Sequence, residues 1–528
     1  MKRSISPFGL LLSSISAILG SGWLFSAYYT SVIAGPAAIL SWIFGGLGLI
    51  IVAFVFAEIC AMLPISGSSA RIPQFTHGSM ISFIFAWMIW LSYIALMATE
   101  VQAVIQYSSF YFPDLTHAAG GLTQKGFVAA AALLFLVGAF NVYSIRWLTR
   151  FNSFLTVLKV CIPLFIVAVI LSLLFDFHHV IHPADSAFMP SGMHGVFGAL
   201  SLGGILFAFN GFKQAAELAG EARHPNFAVP FAIVGSVVIC MIIFVLLQTA
   251  FLTSLQPSNL VNGWSGIHLF NDNSPLAAIL KQDRLAWMLP ILYTGAIIAP
   301  LAAGLMYCSS AARSLYAMSK NGYVPGFFQV LSGYGNPIYA IMINFLVGMT
   351  MFAPLPGWES MVGFLTSLLA ITYAIGPLCL LALRKQVPQQ HRPLRLPFVK
   401  VWATLAFYIC TLLAYWSGWD ILSKMLFALA LGFVLLFIYR KCSGHQQKLD
   451  LNWYSAIWFW PYLIGLLLVS YFGSYQGGKD MIPYPLDLVA LAVLCIVVAY
   501  LAVRFRLPAE QTQSYIAELH ISQNETNL

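Results

Sequence analysis

The chain has 528 residues, of which 60% are hydrophobic and only 8% charged, with a mean hydropathy of +0.85. A soluble domain carries about 25% charged residues, so this composition excludes a soluble globular fold and points to an all-α integral membrane protein. The formal net charge of +8 reports orientation across a membrane and not nucleic-acid binding, because the basic residues are sorted between alternate loops.

In chain order, apolar windows of roughly 20 residues, the length of one spanning helix, predict fourteen spans: 8–32, 36–63, 79–110, 125–145, 151–175, 195–219, 230–254, 286–317, 337–355, 358–383, 398–417, 421–440, 453–473 and 485–505. With the N-terminus inside, nineteen of the 25 Lys and Arg residues fall in inside loops or at inside helix ends, five fall outside, and Lys159 alone lies within a span. That asymmetry satisfies the positive-inside rule, and an even number of spans puts both termini in the cytoplasm. The eight cysteines are isolated and form no CxxC, which suggests neither a disulfide framework nor a zinc site. No metal or cofactor is expected.

Span 1 carries Gly20-Ser21-Gly22 in the middle of its apolar run. Glycine is a poor helix former, so this triplet predicts an unwound break. Lipid cannot satisfy freed backbone groups, so the break faces protein or a water-filled cavity. Glu58 sits near the inside end of span 2 and reads as structural. Glu100 is central in span 3, where a buried carboxyl either carries a proton or pairs with Lys159 or Lys213. Lys159, several residues into span 5, must find oxygen partners or snorkel to the inside face. The loop after span 5 holds His178, His179 and His182, an HHxxH cluster that reads as a solvated loop because no carboxylate-bearing helix frames it. Span 6 is interrupted in turn by Asn210, Gly211 and Lys213. Five spans separate the two breaks, and an odd repeat length inverts the second copy relative to the first, the inverted-repeat logic of secondary transporters.

These readings organise the chain as a 5+5 inverted-repeat core with broken helices 1 and 6 over residues 1–395, four further spans over 396–506, and a polar cytoplasmic tail over 507–528.

The segments GSGWLFSAYYTSVIAGPAAILSWIFGGLG (20–48), AEICAMLPISGSSARIPQFTHG (57–78), FAFNGFKQAAELAGEARHPNFAVP (207–230) and ARSLYAMSKNGYVP (312–325) resemble the amino acid–polyamine–organocation transporter superfamily. Within it, GSGWLF, RIPQFTHG and the fourteen-span length are similar to bacterial aspartate–proton symporters. The turn after span 6, His224-Pro225-Asn226-Phe227, departs from the pattern by lacking the usual Asn before proline.

The resemblance implies a substrate carboxylate bound by the N–H groups of Ser21, Gly22 and Trp23, at a helix N-terminus that favours anions. It implies a substrate ammonium on carbonyls freed near Ala17, Ile18, Phe207, Ala208 and Asn210, with Trp23, Phe207, Phe209 and Tyr307 as gates and walls. It also implies that Lys159, with hydroxyls from Ser309 and Ser310 on span 8, stands where sodium-coupled relatives bind Na⁺, so that protons drive transport. Lys213 occupies a position that is acidic in many relatives. A cation there suits a substrate with an acidic side chain, the alternative being a pair with Glu217 on the same helix. The expected function is a proton-coupled permease for an acidic amino acid such as aspartate or glutamate in a bacterial inner membrane. An amino acid exchanger of the same fold and a non-transporting receptor are the alternatives. No enzymatic motif is present, and the expected partners are a small amino acid, protons and the bilayer.

Overall fold

The computed structural model describes residues 5–65, 68–117, 120–142, 145–176, 187–269, 273–442 and 450–525. Among these the chain is helical throughout, with isolated bridges in place of any strand. The His178, His179 and His182 cluster lies outside the described residues.

Every expected span has a helix. Span 1 begins at Pro7, where Ser6 Oγ accepts the Gly9 N–H at 3.1 Å and proline fills the first turn, so both features of a helix start are met. It runs as two pieces, span 1a (Pro7–Ile18) and span 1b (Gly22–Ala34). A Gly35-Pro36 turn leads into span 2 (Ala38–Met62). Span 3 lies within Ser68–Ser108, kinked at Gly78. Spans 4 and 5 are Gln124–Val142 and Ile145–Leu174. Spans 7 to 10 are Pro225–Thr253, Leu289–Lys320, Ile338–Met351 and Gly357–Gln386. Spans 11 to 14 are Val399–Tyr415, Trp419–Cys442, Phe459–Phe472 and Leu486–Arg504. By length and hydropathy, ten described stretches can cross a membrane alone, with spans 1b and 2 counted as one; spans 9 and 11 are shorter apolar helices.

Span 6 breaks in two steps where the sequence suggests one. Helix Gly192–Ser201 ends at a left-handed Gly204 (φ 83°), a conformation that L side chains resist. A short turn, Ile205–Ala208, then passes through the tighter Asn210–Phe212 segment into Lys213–Glu217. Across Phe209 the stretches Gly192–Ala208 and Asn210–Glu217 are bent by 41°.

The most extensive helix packing joins span 3 to span 8 and span 2 to span 7. Each pair is a helix with its counterpart five spans later, as an inverted repeat brings together around its axis. At the breaks the two repeats clasp each other. A Cβ on Gly22 would press on the Ala208 backbone, and one on Gly211 would overlap the Ala17–Ile18 backbone. Only glycine lets the chains approach this closely.

Loop contacts sort the helix ends onto two faces. On one, carrying Arg384 and Arg392, the Leu507 N–H donates to Thr76 O at 2.9 Å, and Gln386 reaches both Thr76 O and Leu507 O. Glu58 is buried on this basic face with Arg384 Nε at 2.8 Å, Arg392 Nε at 3.5 Å and the Leu396 N–H at 2.8 Å, which ties span 2 to the end of span 10. The polar tail begins as a docked helix, Ala509–Glu525: Thr512 Oγ1 donates to Phe75 O at 2.8 Å and Tyr515 stacks on Phe75. Thr512, Tyr515 and Ile516 recur at helical spacing, a short apolar edge within an otherwise polar composition.

Candidate functional site

The break in span 1 frees the last carbonyls of span 1a, and each finds a donor. Ile15 O accepts the Leu19 N–H and Ile18 O the Gly20 N–H, both at 2.9 Å. The other two draw donors from neighbouring helices. Ser16 O accepts Lys159 Nζ at 2.9 Å, with Ser16 Oγ at 3.3 Å, and Ala17 O accepts the Tyr307 hydroxyl at 2.8 Å. Buried backbone groups must be paired, and here the pairing recruits spans 5 and 8.

At the other end of the break the Ser21 N–H donates to Glu100 Oε2 at 2.8 Å. A cation thus sits at the C-terminal end of span 1a and an anion at the N-terminal end of span 1b. Each compensates the helix-dipole end it faces. Both side chains are buried, and each acts electrostatically on the other. Glu100 Oε1 is buried without a hydrogen-bond partner and lies against Gly20, where no side chain would fit.

The break in span 6 is met by neutral groups. The Tyr373 hydroxyl of span 10 donates to Asn210 Oδ1 at 2.9 Å, and Asn210 Nδ2 donates to the Tyr307 hydroxyl at 3.3 Å. The chain Tyr373–Asn210–Tyr307–Ala17 O therefore links spans 10, 6, 8 and 1 across the floor of the site. Lys213 is buried beyond it. Its Nζ lies 4.0 Å from the Tyr373 ring centroid and 5.5 Å from that of Phe56, and donates to Thr372 Oγ1 at 3.2 Å. Glu217, one turn along, is the carboxylate that acts on it.

On the face opposite the basic one, Phe207 meets Trp358 edge-on at 5.5 Å, and the Trp358 indole N–H donates to Ser21 Oγ at 2.9 Å.

The sequence-predicted residues thus fall into one neighbourhood with some reassignment. Ala17, Ile18, Ser21, Gly22, Phe207, Ala208, Asn210 and Tyr307 surround the two breaks. Trp23 starts span 1b, but its ring packs towards Gly295 of span 8. Phe209 turns to Trp42 and Phe244, away from the break. Lys159 and Glu100 face opposite ends of the span 1 break. Ser309 and Ser310 are half-buried on span 8, while the hydrogen bonds of Lys159 go to Ser16. Sequence reasoning missed Ser16, Trp358, Tyr373 and Thr372. A serine one turn before the Gly-Ser-Gly triplet was the available signal for the first, since a break frees the carbonyls just ahead of it.

The amino acid permease family profile matches residues 5–437. A glutamate/serine transporter, AimA, of Bacillus subtilis (strain 168) is 32% identical over 505 residues, covering 94% of this chain and 93% of the relative. An aspartate-proton symporter of the same organism is 29% identical over 510 residues, covering 96% and 97%. A branched-chain amino acid permease, BcaP, also from that organism, is 27% identical over 468 residues, covering 85% and 95%.

Proposed function

The chain belongs to the amino acid permease family, so it is a multi-pass membrane transporter and not an enzyme, and we propose that it is a proton-coupled symporter of acidic amino acids. The observation that carries this reading is the pair of buried charges on the span 1 break, Lys159 on Ser16 O and Glu100 on the Ser21 N–H. A substrate α-carboxylate seeks the same helix N-terminus that Glu100 occupies, through the N–H groups of Ser21, Gly22 and Trp23. Its ammonium seeks the carbonyls around Ala17 and Asn210. Binding therefore displaces Glu100, and a displaced carboxylate with one oxygen already unpaired is a ready proton acceptor. Lys159 holds the place of a fixed cation beside it, with Ser309 and Ser310 as further hydroxyls on span 8. Proton and substrate then enter together because each changes the charge the other meets.

Lys213 supports an acidic side chain. Its hydrogen bond goes to a neutral hydroxyl, its ring contacts are aromatic and the carboxylate that acts on it is Glu217 of its own helix, so an acidic substrate would bring a second carboxylate to compete with Glu217 for this cation. Two of the relatives named above, a glutamate/serine transporter and an aspartate-proton symporter, point the same way. By the positive-inside rule the basic face lies in the cytoplasm of a bacterial inner membrane, with both termini on that side.

Uptake into proteoliposomes tests the reading. Labelled aspartate or glutamate should accumulate under an inward proton gradient, independently of Na⁺ and with empty vesicles. A requirement for internal amino acid would make the protein an exchanger. Accumulation of neutral amino acids alone would remove the acidic assignment.

A further inference from the structure

Trp358 is the second residue of span 10 and is fully buried. Its surroundings are built. The indole N–H donates to Ser21 Oγ at 2.9 Å, and its backbone N–H donates to Gln106 Oε1 of span 3 at 3.2 Å. The ring stacks on Phe25 at 4.8 Å and 21° and on Tyr29 at 5.5 Å and 14°, both on span 1b, and meets Phe207 of span 6 edge-on. The left-handed Gly204 lies under it, and a Cβ there would press on Trp358 Cη2. The Trp358 side chain thus joins span 1b to the upper half of span 6 beside Ser21, while its backbone ties span 10 to span 3.

Ser21 is gripped twice. Its N–H is held by Glu100 and its hydroxyl by Trp358. An amino acid approaching the N-terminus of span 1b from the face opposite the basic one meets the Trp358 ring first. The same helix carries Tyr373, fifteen residues on, which holds Asn210 at the other break. At 1.5 Å per residue the backbone positions of Trp358 and Tyr373 are about 22 Å apart along the axis of span 10, while the breaks their side chains reach pack against each other. Span 10 therefore meets spans 1 and 6 through Trp358 and meets span 6 again through Tyr373.

We propose that Trp358 is the gate and positioning residue of the transport site on the face opposite the basic one. It acts through the Ser21 hydroxyl: while the indole N–H is bound, Ser21 is fixed with its amide on Glu100, and the face is shut. Opening that face breaks the Trp358–Ser21 bond and slides the ring off Phe25 and Tyr29. This lets a substrate carboxylate reach the Ser21 amide and displace Glu100 from it. The inference rests on the transport reading but not on the substrate or on proton coupling.

The test is counterflow in vesicles of known orientation, using whichever amino acid the wild type carries and no ion gradient. Trp358→Phe keeps the ring stacks and loses the donor. It should lower turnover about tenfold while the KM for substrate on the gated face falls or holds, because the open state is favoured and closure is slowed. The KM on the basic face should rise. Ser21→Ala, which keeps its amide, should reproduce both changes. The double variant should be no worse than either single one, since both remove the same bond. Trp358→Ala, which also loses the stacks, should be more severe, with Trp358→Phe as partial rescue. A Trp358→Phe protein with wild-type constants on both faces, or additive effects in the double variant, overturns the gate. A wild type that carries no amino acid would instead overturn the transport reading.

Discussion

The two breaks hold their freed backbone in different ways, although both grow from glycine-rich sequence. In span 1 the carbonyls of Ser16 and Ala17 and the amide of Ser21 recruit a lysine, a tyrosine and a glutamate from three other spans. In span 6 the turn is tighter, more of the backbone satisfies itself, and the outside partners of Asn210 are tyrosine hydroxyls. The difference extends to the two buried lysines. Lys159 faces the negative end of a half-helix and needs no further anion to be tolerated there. Lys213 begins the last piece of span 6, at a positive end, and is held by an aromatic face. A cation is stable at the first position and conditional at the second. On the proposed function, the charge that couples sits at span 1 and the charge that selects lies beyond the span 6 break.

The sharpest way to break this comparison is Lys159→Ala. It leaves Ser16 O without its external donor and Glu100 without its cation, so gradient-driven accumulation should be lost, with uptake reduced by roughly 100-fold or more. Measured in proteoliposomes with an inward proton gradient, continued concentration of substrate would show that the charge at span 1 does not couple.

A second variant asks whether any buried ion pair would matter as much. Glu58→Gln removes the partner of Arg384 and Arg392, a residue that makes none of the hydrogen bonds at either break. Removing one member of a buried pair costs about 3–5 kcal/mol. The thermal midpoint of the purified protein should fall by several degrees, while the properly folded fraction should keep its proton dependence and substrate ranking. A changed ranking would mean that the breaks are not the special region.

Lys213→Gln tests the conditional lysine. Against a panel of competing amino acids, inhibition by aspartate and glutamate should weaken by roughly 100-fold relative to neutral amino acids, because a desolvated carboxylate would lose its cation. If Glu217 is the functional partner instead, stability should fall while the ranking stays unchanged.

Much of this contrast is legible from residue order alone. The Gly-Ser-Gly triplet places the first break correctly because no alternative helix former interrupts it. The second break is legible only as a region: Gly203, Gly204 and Gly211 all fit. Which glycine turns left-handed depends on Trp358 and Ser26, which a Cβ at Gly204 would contact. Glu100 is recognisable as a misplaced charge, but not its seat on the Ser21 amide, 79 residues away. Trp358 is one of 14 tryptophans, and its bond to Ser21 crosses 337 residues. Long-range partners of aromatic residues leave no local period, so an apolar chain hides them among its packing residues.

The smallest expected effect sets one hydroxyl against another. Tyr307→Phe removes the donor to Ala17 O, a carbonyl freed by the span 1 break, and leaves it buried without that partner. An unpaired buried group costs about 1–3 kcal/mol. Tyr373→Phe removes a donor to Asn210, but the side-chain amide of Asn210 can turn towards another group, and a phenylalanine ring keeps the face that holds Lys213. The net loss is then nearer the value of an ordinary hydrogen bond, about 1 kcal/mol. Substrate counterflow should therefore fall by roughly tenfold or more in Tyr307→Phe and by about fivefold in Tyr373→Phe. The order matters more than either figure. The reverse order would mean that the span 6 break carries the stricter backbone demand, and that the division of labour between the two breaks is drawn the wrong way round.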